Sequence, residues 1–165
     1  MLSRADPSRS ELYAPPDLAL KADEILGGID LDPASDTTGL SHVLARAVLT
    51  AADDGLAHPW HGRIWLFPPH GRRAVWIAKL LHEYRVGRID AALIYDALDP
   101  RAPWFQNLAR EASICFTGSL RALNDCNEPI ARTRTGSMLG YLGPDRERFE
   151  ELAHGLGAVL HPWRR

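Results

Sequence analysis

The sequence predicts an α/β domain built on one sheet of roughly six strands, and three observations carry that prediction. Short apolar runs of strand length alternate along the chain with stretches of helical periodicity. One run, Ile89-Asp90-Ala91-Ala92-Leu93-Ile94-Tyr95, is largely apolar throughout, as a strand covered on both faces must be. The third observation is a corner: Arg63-Ile64-Trp65-Leu66 runs into Phe67-Pro68-Pro69-His70-Gly71, and a helical pattern starts straight after it. That is the signature of a strand delivering a rigid loop to the edge of a sheet. Consecutive prolines fix φ and give up their amide donors, which leaves their carbonyls free to accept hydrogen bonds. In open α/β sheets the loop just past the carboxyl end of a strand is where ligands bind. An ordinary strand-to-helix turn carries the same pattern.

Composition sets the outer bounds. A chain of 165 residues is expected to form one domain, with residues 1–12 as a flexible N-terminal segment and 13–165 as the folded unit. Hydrophobic residues at 45% and charged residues at 24% are ordinary globular values, and no apolar run approaches the roughly 20 residues of a membrane span. Met1 to Asp6 lacks the apolar core of a secretory signal, and Cys115 and Cys126 make a poor disulfide framework or zinc site. The expectation is a cytoplasmic protein with no membrane partner. A net charge of −2 gives no global attraction to nucleic acid. Contacts of that kind would have to come from local clusters: Arg72-Arg73, Arg132-Thr133-Arg134 and Trp163-Arg164-Arg165, each of which also reads as solvated surface.

Taken in order, Tyr13-Ala14-Pro15-Pro16 must be extended, and Asp17 reads as the N-cap of a helix from Leu18 to Leu26 that stops at Gly27-Gly28. Ile29-Asp30-Leu31-Asp32-Pro33-Ala34-Ser35 suits a short strand whose acids emerge at its end. Those carboxylates could accept hydrogen bonds from a ligand's hydroxyls or ammonium group, or simply cap the next turn. Ser41 to Val48 reads as a short helix, and Thr50 to Leu56 as a turn in which Asp54-Gly55 supplies a positive φ. His58 and His61, with His70 further on, do not make a metal site, because Pro59 interrupts any regular helical face and no clean third ligand accompanies them. A helix follows over Val75 to Tyr84, closed by Gly87; Pro103 opens another through Leu108. Ala112 to Phe116 and Ser137 to Leu142 read as strands, with a long polar loop from Thr117 to Gly136 between them that holds at most one ribbon. Pro144 and Asp145 start a last helix, and Ala158-Val159-Leu160 closes as a strand.

Several blocks in a fixed order carry a resemblance. Tyr13-Ala14-Pro15-Pro16, Gly28-Ile29-Asp30-Leu31-Asp32-Pro33-Ala34-Ser35, Asp53-Asp54-Gly55-Leu56, Pro59-Trp60-His61-Gly62-Arg63 and Pro68-Pro69 before Gly71 together look like the phage-type DNA N6-adenine methyltransferase family. The likeness continues through Trp104-Phe105-Gln106 and Tyr141-Leu142-Gly143-Pro144, so it covers nearly the whole chain from about Glu11. The resemblance implies a Rossmann-like class I S-adenosylmethionine-dependent methyltransferase sandwich, its sheet mostly parallel with an antiparallel edge, in a bacterial host cytoplasm. It implies S-adenosylmethionine bound by Tyr13, Pro15, Asp30, Asp32, Pro33 and Asp54, and a catalytic loop at Phe67, Pro68, Pro69 and His70. Double-stranded DNA is the implied partner, met by Arg72, Arg73, Arg132 and Arg134, with the protein a monomer or weak dimer.

The departures from that pattern are as informative. Family loops of the form (Asn/Asp)-Pro-Pro-(Tyr/Phe) hold a flipped adenine by accepting its N6 hydrogens at the first side chain and the first proline carbonyl, with the aromatic stacking on the base. Here Phe67 accepts nothing and His70 is a smaller platform. Ala14 stands where the family usually has threonine, and Tyr95-Asp96-Ala97 replaces an asparagine-rich run. The expectation is methyl transfer that is impaired or lost, with an active enzyme or a non-catalytic DNA- or protein-binding module as the alternatives.

Overall fold

A computed structural model describes residues 12–36, 42–118, 120–124, 126–130 and 136–163. Along the chain these form α1 (Pro16–Leu26), β1 (Ile29–Asp32), β2 (Ala45–Val48), β3 (Gly62–Leu66), α2 (Arg73–Arg85), β4 (Ile89–Ala97), α3 (Pro103–Ala109), β5 (Ser113–Thr117), β6 (Ser137–Leu142), α4 (Arg146–Ala153) and β7 (Gly157–Leu160). The strands make one sheet in the order β2-β1-β3-β4-β6-β5-β7. The pairs β2–β1, β1–β3 and β3–β4 are parallel, whereas β6 runs antiparallel to both β4 and β5, and β7 antiparallel to β5. The protein is therefore α/β with a mixed sheet, parallel at its core and antiparallel at one edge, an arrangement compatible with a Rossmann-like fold.

Alternation along the central strands sorts the core into two layers. Ile64 and Leu66 of β3 and Ala92 and Ile94 of β4 pack with Trp76, Ile77 and Leu80 of α2 and Phe105 and Leu108 of α3. Their neighbours Trp65, Ala91, Leu93 and Tyr95 face the other way, onto Leu18, Ala22 and Ile25 of α1 and Phe149 and Ala153 of α4. Successive side chains on a strand point to opposite faces, so a strand covered by helices on both sides has to be apolar nearly throughout.

Two local expectations are corrected. The helix expected over Ser41 to Val48 is absent from its described part: Ala45–Val48 is a strand, paired in parallel with β1 through Ile29↔Ala45 and Leu31↔Ala47. Ladder hydrogen bonds to β1 outweigh the helical preference of alanine and arginine, and this added edge strand raises the count to seven among the described residues. Asp17 is not a cap either. Helix α1 begins at Pro16, with Pro15 in the N-cap position and no side-chain cap; Asp17 lies in the first turn, where its charge complements the helix dipole. The true acidic cap is Asp145, which accepts a hydrogen bond from the Arg148 backbone N–H at 3.0 Å at the start of α4. In the polar loop after β5, Leu123 bridges both Tyr13 and Pro129, so the segment entering α1 is pinned against this loop.

Candidate functional site

Parallel strands bring their carboxyl ends to one edge of the sheet, and there β1 ends in Asp32, β3 runs into Phe67 and β4 ends in Asp96-Ala97. The chain leaves β1 towards β2 on one side and leaves β3 towards β4 on the other, which makes the gap between β1 and β3 a topological switch point. Two cavities lie at this edge. The larger, of about 590 Å³, is lined by Tyr13, Asp32, Pro33 and Asp54 of the residues expected at a cofactor, and by all four residues of the Phe67-Pro68-Pro69-His70 corner. The smaller, of about 240 Å³, is lined by Phe67 and His70 again, with Tyr95, Asp96, Arg121 and Ser137. Phe67 and His70 thus form a wall common to both.

Within the corner, the Pro69 carbonyl accepts the Arg72 amide at 3.2 Å and so belongs to the start of α2. The Pro68 carbonyl has no donor among the described residues. Only one of the two proline acceptors expected from the sequence remains for a ligand. The Phe67 ring leans on Tyr95, with centroids 5.1 Å apart and planes at 56°.

Asp32 is buried, and burial pushes its carboxyl up to about 7 against the opposing hydrogen bonds from the Ala34 amide and Ser35. Asp96, 1% exposed, is likewise pushed up to about 6 by burial, held in check by Arg73, whose Nε lies 2.7 Å from both carboxylate oxygens. Arg73 Nη2 continues the chain to His70 Nδ1 at 2.9 Å. Partial burial and this guanidinium hold the imidazole below its usual pKa.

Other expected site residues lie elsewhere. Asp30 lines neither cavity: its carboxylate accepts from Arg63 N at 2.9 Å and Nε at 2.8 Å and pairs with Arg46 at 3.2 Å, and Arg63 holds its pKa down at about 2. It ties β1 to β3 at the far end of the strands from the cavities. Pro15 also lines neither; its carbonyl starts α1 by accepting from Leu18 and Ala19. Arg72 is exposed and lines the larger cavity, whereas Arg73 is turned inward onto Asp96. Arg132 and Arg134 fall outside the described residues. No group of three or more His, Cys, Asp or Glu able to hold a metal ion occurs among the described residues, and none of their helices is long and apolar enough to cross a membrane.

The sequence did not single out Trp65 or Trp76, which line the larger cavity, or Ser137 and Arg121, which line the smaller. Trp76 carries a buried indole Nε1 with no hydrogen-bond partner among the described residues. The wall at Pro33 depends on Gly55. Asp54 adopts the positive φ of the turn, at 50°, so Gly55 is needed for a different reason: a Cβ there would lie 2.0 Å from the Pro33 carbonyl oxygen. Because that atom is backbone, Gly55→Ala should push the Pro33 segment out of place. The expected result is a loss of about 1–3 kcal/mol in denaturant unfolding together with weakened ligand binding in the larger cavity. Wild-type stability and binding in this variant would refute the close approach.

Comparison of the chain with protein-family models and with curated proteins gives no match.

Proposed function

We propose that this chain is a DNA adenine-N6 methyltransferase-like protein that binds S-adenosylmethionine in the larger cavity and in which transfer to an adenine amine is impaired. The observation that carries the reading is the common wall: the Pro-Pro corner divides a cofactor-sized cavity from a ring-sized one, at the switch point of a parallel sheet. The larger cavity also fits the cofactor chemically. Asp32, Asp36 and Asp54 supply carboxyls suited to hydroxyl and ammonium groups, and Trp65 and Trp76 supply aromatic surface. When bound, the cofactor supplies an electrophilic methyl group.

The residues of the chain explain the impairment. A side chain able to accept an amine hydrogen is expected ahead of the prolines, and Phe67 stands there with a hydrocarbon ring. Asp96 in the smaller cavity is a poor substitute, since its oxygens are already engaged by Arg73 and the Ala97 amide. The Pro68 carbonyl is then the acceptor that the corner retains. Exposed Arg72 and Arg121 sit on the walls of the larger and smaller cavities respectively, where they suit the phosphates of a DNA strand.

Calorimetry with S-adenosylmethionine and a tritium-transfer assay on unmethylated duplex DNA test the reading. Binding with near-background transfer is the expected result. Phe67→Asn restores an amide acceptor and is expected to raise transfer about a hundredfold, the usual worth of one positioned polar group. A thermal midpoint measured alongside separates a chemical failure from the loss of the Phe67–Tyr95 contact. Absence of cofactor binding, or full transfer by the wild type, would overturn the proposal.

A further inference from the structure

The geometry points to the smaller cavity as a site for a planar heteroaromatic ring that presents an exocyclic carbonyl, with His70 as the hydrogen-bond donor that reads it. The inference rests on the reading above in taking this cavity as the ring-binding half of a two-part site. At about 240 Å³ it lies below the usual range for pockets that enclose a whole drug-sized ligand, which suits a single ring system.

The identity of the ring follows from a chain of hydrogen bonds. A guanidinium has only donors and keeps its proton, so the 2.9 Å contact from Arg73 Nη2 makes His70 Nδ1 an unprotonated acceptor. The proton of the neutral imidazole must then sit on Nε2, the nitrogen left for a ligand. Arg73 cannot swing away at little cost, because its Nε lies 2.7 Å from both oxygens of a carboxylate that is 1% exposed. That pairing, with the Ala97 amide at 2.6 Å from Oδ1, engages both oxygens of Asp96 from within the fold. The lining therefore sets the His70 ring, whose other nitrogen is a donor, beside the Phe67 ring, with the Tyr95 and Ser137 side chains also on the wall. A ring edged with an amine meets no acceptor at His70, whereas a carbonyl receives the imidazole proton.

The test uses the full chain with 15N-labelled histidine and two probes of nearly the same shape, 9-methylhypoxanthine and 9-methyladenine, titrated without cofactor. The free protein is expected to show a neutral His70 protonated on Nε2. The hypoxanthine probe should bind about tenfold more tightly than the adenine probe and shift the His70 nitrogens. His70→Phe keeps an aromatic ring at an exposed position and should abolish the preference. Arg73→Met combined with Asp96→Asn removes both members of the ion pair together and should free the tautomer. Equal or tighter binding of the adenine probe, an Nδ1-protonated ring, or no response of His70 to either probe would overturn the inference. Any of these with cofactor binding and the Phe67→Asn gain intact would leave the methyltransferase reading standing; the reverse pattern would remove that reading and keep the ring site.

Discussion

Trp60→Ala is expected to destabilise the protein by about 3–5 kcal/mol. The residue is fully buried between the Asp53–Gly55 turn and α2, and several contacts end on it at once. Its Nε1 donates to the Gly55 carbonyl at 2.8 Å, its rings stack on Trp76 with centroids 5.8 Å apart, and the Lys79 ammonium lies 5.2 Å from its centroid. Truncation leaves a cavity and a buried carbonyl without a donor, next to the Gly55–Pro33 contact that shapes the larger cavity. Trp60→Phe restores most of the apolar volume but not the N–H, so it should recover part of the loss and leave a deficit of about 1–3 kcal/mol. Urea unfolding of both variants measures this directly. An alanine variant with the wild-type midpoint would show that the turn is not held by this side chain.

Stability should also fall as pH rises across the neutral range. Asp32 and Asp96 both bind their protons more tightly folded than unfolded, at about 7 and about 6 respectively against an ordinary 3.8. Folding is therefore favoured by protonation of each. That contribution is fully present below pH about 4, the unfolded value, and is lost progressively until pH passes the folded value. The losses are on the order of 4 kcal/mol for Asp32 and on the order of 3 kcal/mol for Asp96. Asp30 has the opposite sign, with a folded pKa of about 2, but its contribution is lost only as pH falls below the same lower bound. Unfolding free energy measured from pH 4.5 to 8 should decline, and Asp32→Asn and Asp96→Asn should each flatten the decline relative to wild type. Unchanged slopes in both variants would mean that neither group is protonated on folding.

Much of the architecture could be read from residue patterns. Alternating strand and helix periods are local properties, so the strands at Ile29, Ile89, Ser113 and Ser137 and the helices after Pro15, Gly71 and Pro103 follow from side-chain spacing and proline chemistry. The Pro-Pro corner is legible for the same reason, since a cyclic side chain dictates its own backbone. What periodicity reports is the face a side chain occupies, not its depth along the strand or its partner. Asp30 and Asp32 share a face of β1, yet Asp30 meets Arg63 and Arg46 at one end while Asp32 reaches the cavity at the other. Ala45–Val48 became a strand because β1 offered it an unpaired edge. Arg73 turned inward because β4 buries a carboxylate beside the start of α2, and that ion pair, made between residues far apart in the chain, decides what His70 can offer a ligand. Local chemistry determined the elements and the corner; long-range contacts, which leave no mark on local spacing, decided which of the candidate side chains face the cavities.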